Sequence, residues 1–164
     1  MDAIECIKQR RSVRIYIDKS IPKDILADMI DCARLAPSGR NTQGWDFVVV
    51  TDREMLKKIA DLTDHGKFAV NAGACIIVVS KDTTYFMEDG AAATQNILLA
   101  ATAHGIGSCW LAGDKKYYDK DMLKLFGVPK DHRLVSIIVL GYCENFPSPP
   151  NKRELDDVLH WEKF

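Results

Sequence analysis

The run Met87-Glu88-Asp89-Gly90-Ala91-Ala92-Ala93-Thr94-Gln95-Asn96-Ile97-Leu98-Leu99-Ala100-Ala101-Thr102-Ala103-His104 has two acidic residues at its start and, beyond them, little polar surface except Thr94, Gln95, Asn96 and Thr102. It reads as a helix, and Gly105 is well placed to end it, because glycine adopts a left-handed conformation without steric cost. A helix this apolar must be buried on nearly every face. In a chain of 164 residues, one route is to bury it against a second copy. Ala91, Ala92, Ala93, Ala100, Ala101 and Ala103 would permit close helix packing.

On the C-terminal side, Gly105-Ile106-Gly107-Ser108-Cys109-Trp110-Leu111-Ala112-Gly113 places an apolar, strand-like run after a helix and paired glycines. A dinucleotide-binding turn has the opposite order, so that reading is rejected. Asp119 to Phe126 reads as another helix, Leu134 to Leu140 as a buried strand, and Phe146 to Pro150 as the start of an extended tail. On the N-terminal side, Phe47-Val48-Val49-Val50 and Ile76-Ile77-Val78-Val79 are continuous apolar runs, as strands covered on both faces require. Arg53 to Leu62 between them is amphipathic, with Met55, Leu56, Ile59 and Leu62 on one face. Ser20-Ile21-Pro22 opens a helix with Ser20 as capping residue; Ile25, Met29, Ala33 and Ala36 form its stripe and Pro37 ends it. A short helix from Asp2 to Gln9 precedes an extended run from Val13 to Ile17. With no linker, repeat or low-complexity segment, the chain reads as one domain over residues 1–164.

The 47% hydrophobic content suffices for one sizeable core. No stretch approaches the roughly 20 apolar residues of a membrane span, and the first residues are not a signal peptide. A soluble, cytoplasmic protein without a membrane partner is therefore expected. A net charge of −1 argues against a nucleic-acid partner, which would want a broad basic face. Five cysteines (Cys6, Cys32, Cys75, Cys109, Cys143) include no Cys-x-x-Cys pair, which suits reduced thiols and neither a zinc site nor a disulfide framework. His65, His104, His132 and His160 lack the spacing of a helical metal site. Neither a phosphate loop of the Gly-x-x-x-x-Gly-Lys-Ser/Thr type nor a Gly-x-Ser-x-Gly elbow is present. Without an obvious nucleophile or acid–base pair, the chain looks like a cofactor enzyme, in which the protein supplies position and electrostatics.

Arg10-Arg11-Ser12-Val13-Arg14 sets three guanidiniums and a hydroxyl within five residues, enough to hold a dianionic phosphate through charge-assisted hydrogen bonds. A solvated basic turn has the same composition. Two further segments, Ala36-Pro37-Ser38-Gly39-Arg40-Asn41-Thr42-Gln43-Gly44-Trp45 and Gly105 to Gly113, change the balance. Together with Gly90 to Ala101 and a basic tail, they resemble the FMN-dependent nitroreductase family, in the right order and over nearly the whole chain.

The resemblance implies an α+β fold with a central mixed or antiparallel sheet flanked by helices, in an intertwined homodimer with FMN at the subunit interface. By that likeness Arg10, Arg11 and Ser12 hold the phosphate together with Lys152 or Arg153, and Arg14 lies by the N1–C2 edge of the isoalloxazine. Pro37, Ser38, Gly39 and Asn41 come from the other subunit. Gln43 is either a ligand or a residue steadying the loop. Trp110, Leu111, Ala112 and Gly113 run along the flavin, where backbone amides reach N5 and O4. No catalytic side chain is implied: NADH or NADPH delivers hydride to N5, and a small conjugated acceptor takes the electrons in a ping-pong cycle. Alternatives within the resemblance are reductive dehalogenation, flavin breakdown, or an FMN-binding redox sensor without turnover. The tail departs from the family's Arg-Lys-Pro-Leu pattern, reading Lys152-Arg153-Glu154-Leu155, and Asn71-Ala72-Gly73 stands where many members have Asp-Ala-Pro. Larger members carry an inserted helical segment. Only one short helix fits between Gly113 and Leu134, which implies an open pocket.

Overall fold

The computed structural model describes residues 2–164. Four strands, β1 (Trp45–Val50), β2 (Ala74–Lys81), β3 (Gly107–Ala112) and β4 (His132–Gly141), form one antiparallel sheet in the order β1-β2-β4-β3. Five helices surround it: α1 (Ala3–Gln9), α2 (Lys23–Arg34), α3 (Arg53–Leu62), α4 (Phe86–Ala103) and α5 (Asp119–Leu125). The antiparallel form of the expected α+β sheet is the one present.

Two apolar cores lie on opposite faces of the sheet. On one, Leu26, Met29 and Ala33 of α2 and Ala93, Ile97 and Ala101 of α4 pack on Ile76, Val78, Ile138 and Leu140. On the other, Leu56 and Ile59 of α3 and Met122 of α5 pack on Ile77, Val79, Ile137 and Val139. Strands β2 and β4 are central and covered on both faces, so their continuous apolar composition follows. The expectation of the same for Phe47 to Val50 fails, because β1 is an edge strand and Val49 is 40% exposed.

Glycine at position 90 lets α4 approach β4: a Cβ there would lie 2.6 Å from Val135. Thr94 joins the same contact, its hydroxyl 2.7 Å from that of Ser136 and 2.8 Å from the Gly90 carbonyl oxygen. Gly105, at φ +69°, ends the helix as expected. Within the chain, however, α4 is not buried all round. Ala93, Ala100 and Ala101 face this chain's own core and half-buried Ala92 packs against it, whereas Ala91, Gln95 and Leu99 are half-buried outside it and Ala103 is exposed. Those alanines therefore divide into core and surface sets, and only the second is free to meet another copy.

Helix α2 starts two residues later than its expected cap: Pro22 takes the N-cap position, with no side-chain cap, and Ser20 lies outside. Leu26 is more deeply buried than Ile25. Residues 13–17 form no strand; an isolated parallel bridge joins Ser12 to Ser108, and the Ile17 amide donates to the Tyr142 carbonyl oxygen at 2.9 Å.

Candidate functional site

Helix α1 stops at Gln9, and Arg10 turns the chain into the extended conformation (ψ 132°). The Val13 amide then donates to the Ser108 carbonyl oxygen at 2.9 Å, laying the basic turn beside β3. The buried Val13 side chain leaves no room for a Cβ at Gly107, which would meet it at 2.8 Å. The result is a cleft of about 600 Å³ whose polar wall is Arg10, Arg11, Ser12, Arg14 and Lys152, closed by the Pro147–Pro150 segment of the tail.

Arg14 also lines a second cavity of about 290 Å³, shared with Trp110, Leu111, Ala112, His65 and Lys116. Because β3 is the sheet's other edge, alternate backbone groups point away from β4. The Ser108 carbonyl points outward to Val13, and the Ala112 carbonyl points outward to the Tyr118 hydroxyl at 2.5 Å. By the same alternation, the Trp110 and Ala112 amides point outward too. The edge thus offers N–H donors beside a cation and a half-exposed aromatic ring.

The sequence profile described as the nitroreductase family matches residues 7–68 and 63–142. The chain belongs to that family. A protein of Archaeoglobus fulgidus provisionally named NADH dehydrogenase/NAD(P)H nitroreductase is 40% identical over 98% of this chain and 99% of its own. An FMN-dependent nitroreductase from Clostridium difficile superposes with a TM-score of 0.91 at 30% identity, covering 98% of this chain and 99% of that one. A nitroreductase with bound FMN from Bacteroides fragilis superposes at 0.81 with 27% identity, over 99% of this chain and 100% of that one.

This nitroreductase chain gathers some of the expected residues and separates others. Arg11 lines the larger cleft, but its guanidinium is bonded to the Lys8 and Arg10 carbonyl oxygens, both at 2.8 Å, and so serves the end of α1. Lys152 reaches the cleft; Arg153 instead donates to the Asp157 carbonyl oxygen. Gly113 lines neither cavity: its amide donates to the Val135 carbonyl oxygen at 3.1 Å, and a Cβ would meet Val135 backbone at 2.9 Å. Its glycine reflects close packing.

Pro37, Ser38, Gly39, Asn41 and Gln43 lie apart from both cavities. Their loop is tightly folded, with Arg40, Asn41 and Gln43 all at positive φ. The Ser38 hydroxyl oxygen accepts from the Gln43 amide at 3.0 Å, and Gln43 Nε2 is 3.5 Å from the Asn41 carbonyl oxygen. Gln43 is thus engaged within the loop.

Four residues were missed in the sequence. Tyr118 caps Ala112, and burial pushes its phenol up to about 12, with Asp64 and Tyr117 adding to the shift. Ser108 holds a buried hydroxyl with no hydrogen-bond partner among the described residues. His65 and Lys116 reach the smaller cavity. Among these, only the position of Ser108 within a quoted motif was a signal. The five cysteines are all free, and burial raises the Cys109 thiol despite Arg14 and Arg10 nearby. Among the described residues no cluster could hold a metal ion, and no helix is long and apolar enough to cross a membrane.

Proposed function

We propose that this chain is an FMN-dependent NAD(P)H oxidoreductase of the nitroreductase type, its FMN phosphate in the larger cleft and its isoalloxazine along the outer edge of β3. Held there, FMN would supply the two-electron chemistry that links NADH or NADPH as hydride donor to a small conjugated acceptor such as a nitroaromatic or quinone. The observation that carries this reading is the junction at Arg14, which lines both the basic cleft of about 600 Å³ and the cavity beside Trp110, Leu111 and Ala112 of β3.

The residues present fit that group. Arg10, Arg14 and Lys152 form no ion pair among the described residues, so their charge is available to a dianion. The orphaned Ser108 hydroxyl lies on the same strand face as Trp110 and Ala112. Arg10, Ser12 and Lys152 bind phosphate through charge-assisted bonds, and Arg14 favours a negatively charged flavin edge by Coulomb attraction. The Trp110 and Ala112 amides orient the ring.

The functional unit is a homodimer. Half-buried Ala91, Gln95 and Leu99 form an i, i+4 stripe on α4; Ile4 and Ile7 on α1 are exposed, as are Leu155, Trp161 and Phe164 in the tail. A second copy covers this apolar surface and brings the Ser38–Asn41 loop to the partner's flavin. Reduced thiols and a nicotinamide donor suit a single-domain enzyme of the cytoplasm. The test is steady oxidation of NADH or NADPH with an added quinone by the yellow holoprotein. Binding of FMN without turnover would reduce the protein to a flavin carrier.

A further inference from the structure

Two residues one turn apart at the start of α4 face the Ser38–Gln43 loop. Tyr85 packs against Gly39 so closely that a Cβ there would lie 2.5 Å from Tyr85 Cδ2. Asp89 is 5% exposed, and its carboxylate accepts the Gly39 amide at 2.8 Å and the Thr42 hydroxyl at 3.3 Å. Among the described residues it has no cationic partner. A carboxylate buried on neutral donors alone is costly and calls for a compensating role. The loop it holds is strained: Arg40, Asn41 and Gln43 sit at φ 55°, 56° and 49°, a region L-residues rarely adopt. Such geometry persists only where the surroundings over-determine it.

We propose that Asp89 is the positioning residue for the part of the flavin site that the Ser38–Asn41 loop supplies to the partner subunit. This rests on the reading of the chain as a dimeric FMN enzyme. Asp89 touches neither cleft. It acts by fixing Gly39 and Thr42, the ends of the short turn that sets the directions of the Ser38 hydroxyl and the Asn41 amide. Without the carboxylate the left-handed residues relax, and the loop meets the flavin as an ensemble rather than as one preorganised surface.

The test compares FMN affinity, by fluorescence quenching, in wild type, Asp89→Ala and Asp89→Asn, with the oligomeric state followed by light scattering. Asp89→Ala should remain dimeric and bind FMN at least roughly tenfold more weakly. Asp89→Asn should recover most of the loss, since its amide oxygen accepts from Gly39 and its NH2 donates to a Thr42 hydroxyl that can also accept. A heterodimer of Asp89→Ala with Arg10→Ala, isolated with two affinity tags, separates positioning from general damage. One of its two sites combines an intact Arg10 with an intact loop from the opposite chain, so one tight FMN per heterodimer should return. If Asp89→Ala does not fold, Thr42→Val replaces it in the pair with the same expectation. Wild-type affinity in Asp89→Ala, or a heterodimer with no tight site, overturns the proposal while wild type still binds FMN. A wild type that binds no FMN overturns the underlying reading as well.

Discussion

The Val13 amide and the Ser108 carbonyl oxygen are 2.9 Å apart, and this one hydrogen bond joins the basic turn of residues 10–14 to the edge of the sheet. The parts of the proposed flavin site on these two segments meet at that joint: Arg10 and Ser12 on one side, strand amides on the other, and Arg14 between them.

Arg10 and Arg11 should behave differently. Arg10→Ala removes an unpaired guanidinium from the cleft; at about 1.5–3 kcal/mol per charge-assisted bond, FMN affinity should fall roughly ten- to a hundredfold with the fold intact. Arg11→Ala should cost less affinity, since its guanidinium already binds the Lys8 and Arg10 carbonyl oxygens. Fluorescence titration of both variants checks the contrast, and equal losses would contradict it.

Donor and acceptor should exclude one another. If both use the same exposed flavin face, initial-rate plots over both substrates give parallel lines. Intersecting lines would require a separate acceptor site. Arg14→Met should lower the flavin reduction potential and the rate of reduction by NAD(P)H more than it weakens FMN binding, because its charge acts at the ring.

The buried and half-buried faces of α4 predict opposite outcomes. Ala93→Glu places a carboxylate in the chain's own core and should unfold it. Leu99→Glu, on the half-buried stripe, should leave a folded chain but yield monomers that lose FMN. Circular dichroism with light scattering distinguishes them. A folded Ala93→Glu dimer would contradict the packing described for α4.

Tyr118 gives a prediction at high pH. Its folded phenol is pushed up to about 12 from an ordinary value near 10, mainly by burial, so the neutral form is favoured in the native state. The stability it contributes is fully present below pH 10 and is lost as pH rises through 12. Tyr118→Phe should cost about 1 kcal/mol at neutral pH and remove that alkaline step, read by denaturant unfolding at several pH values. An unchanged alkaline transition would assign it to another group.

Most of the fold was legible because its helices are strongly periodic and its central strands are apolar throughout. Arg53–Leu62 has the expected bounds, and Gly105 ends α4 as expected. The edge position of β1 was not legible, since Phe47 to Val50 has the composition of a central strand and only the strand order exposes Val49. Asp89 reads in sequence as a solvated first-turn acid. Its burial depends on a loop some fifty residues away, a contact that periodicity does not encode. The same holds for Arg11 and Arg153, whose backbone partners compete with the ligand role that their charge suggests.

The most direct measurement is an absorbance-monitored titration of the purified, dialysed protein with FMN. Perturbed flavin absorption bands are expected, saturating at one FMN per chain and abolished or greatly weakened by Arg10→Ala. A colourless protein that leaves the spectrum of added FMN unchanged would contradict it.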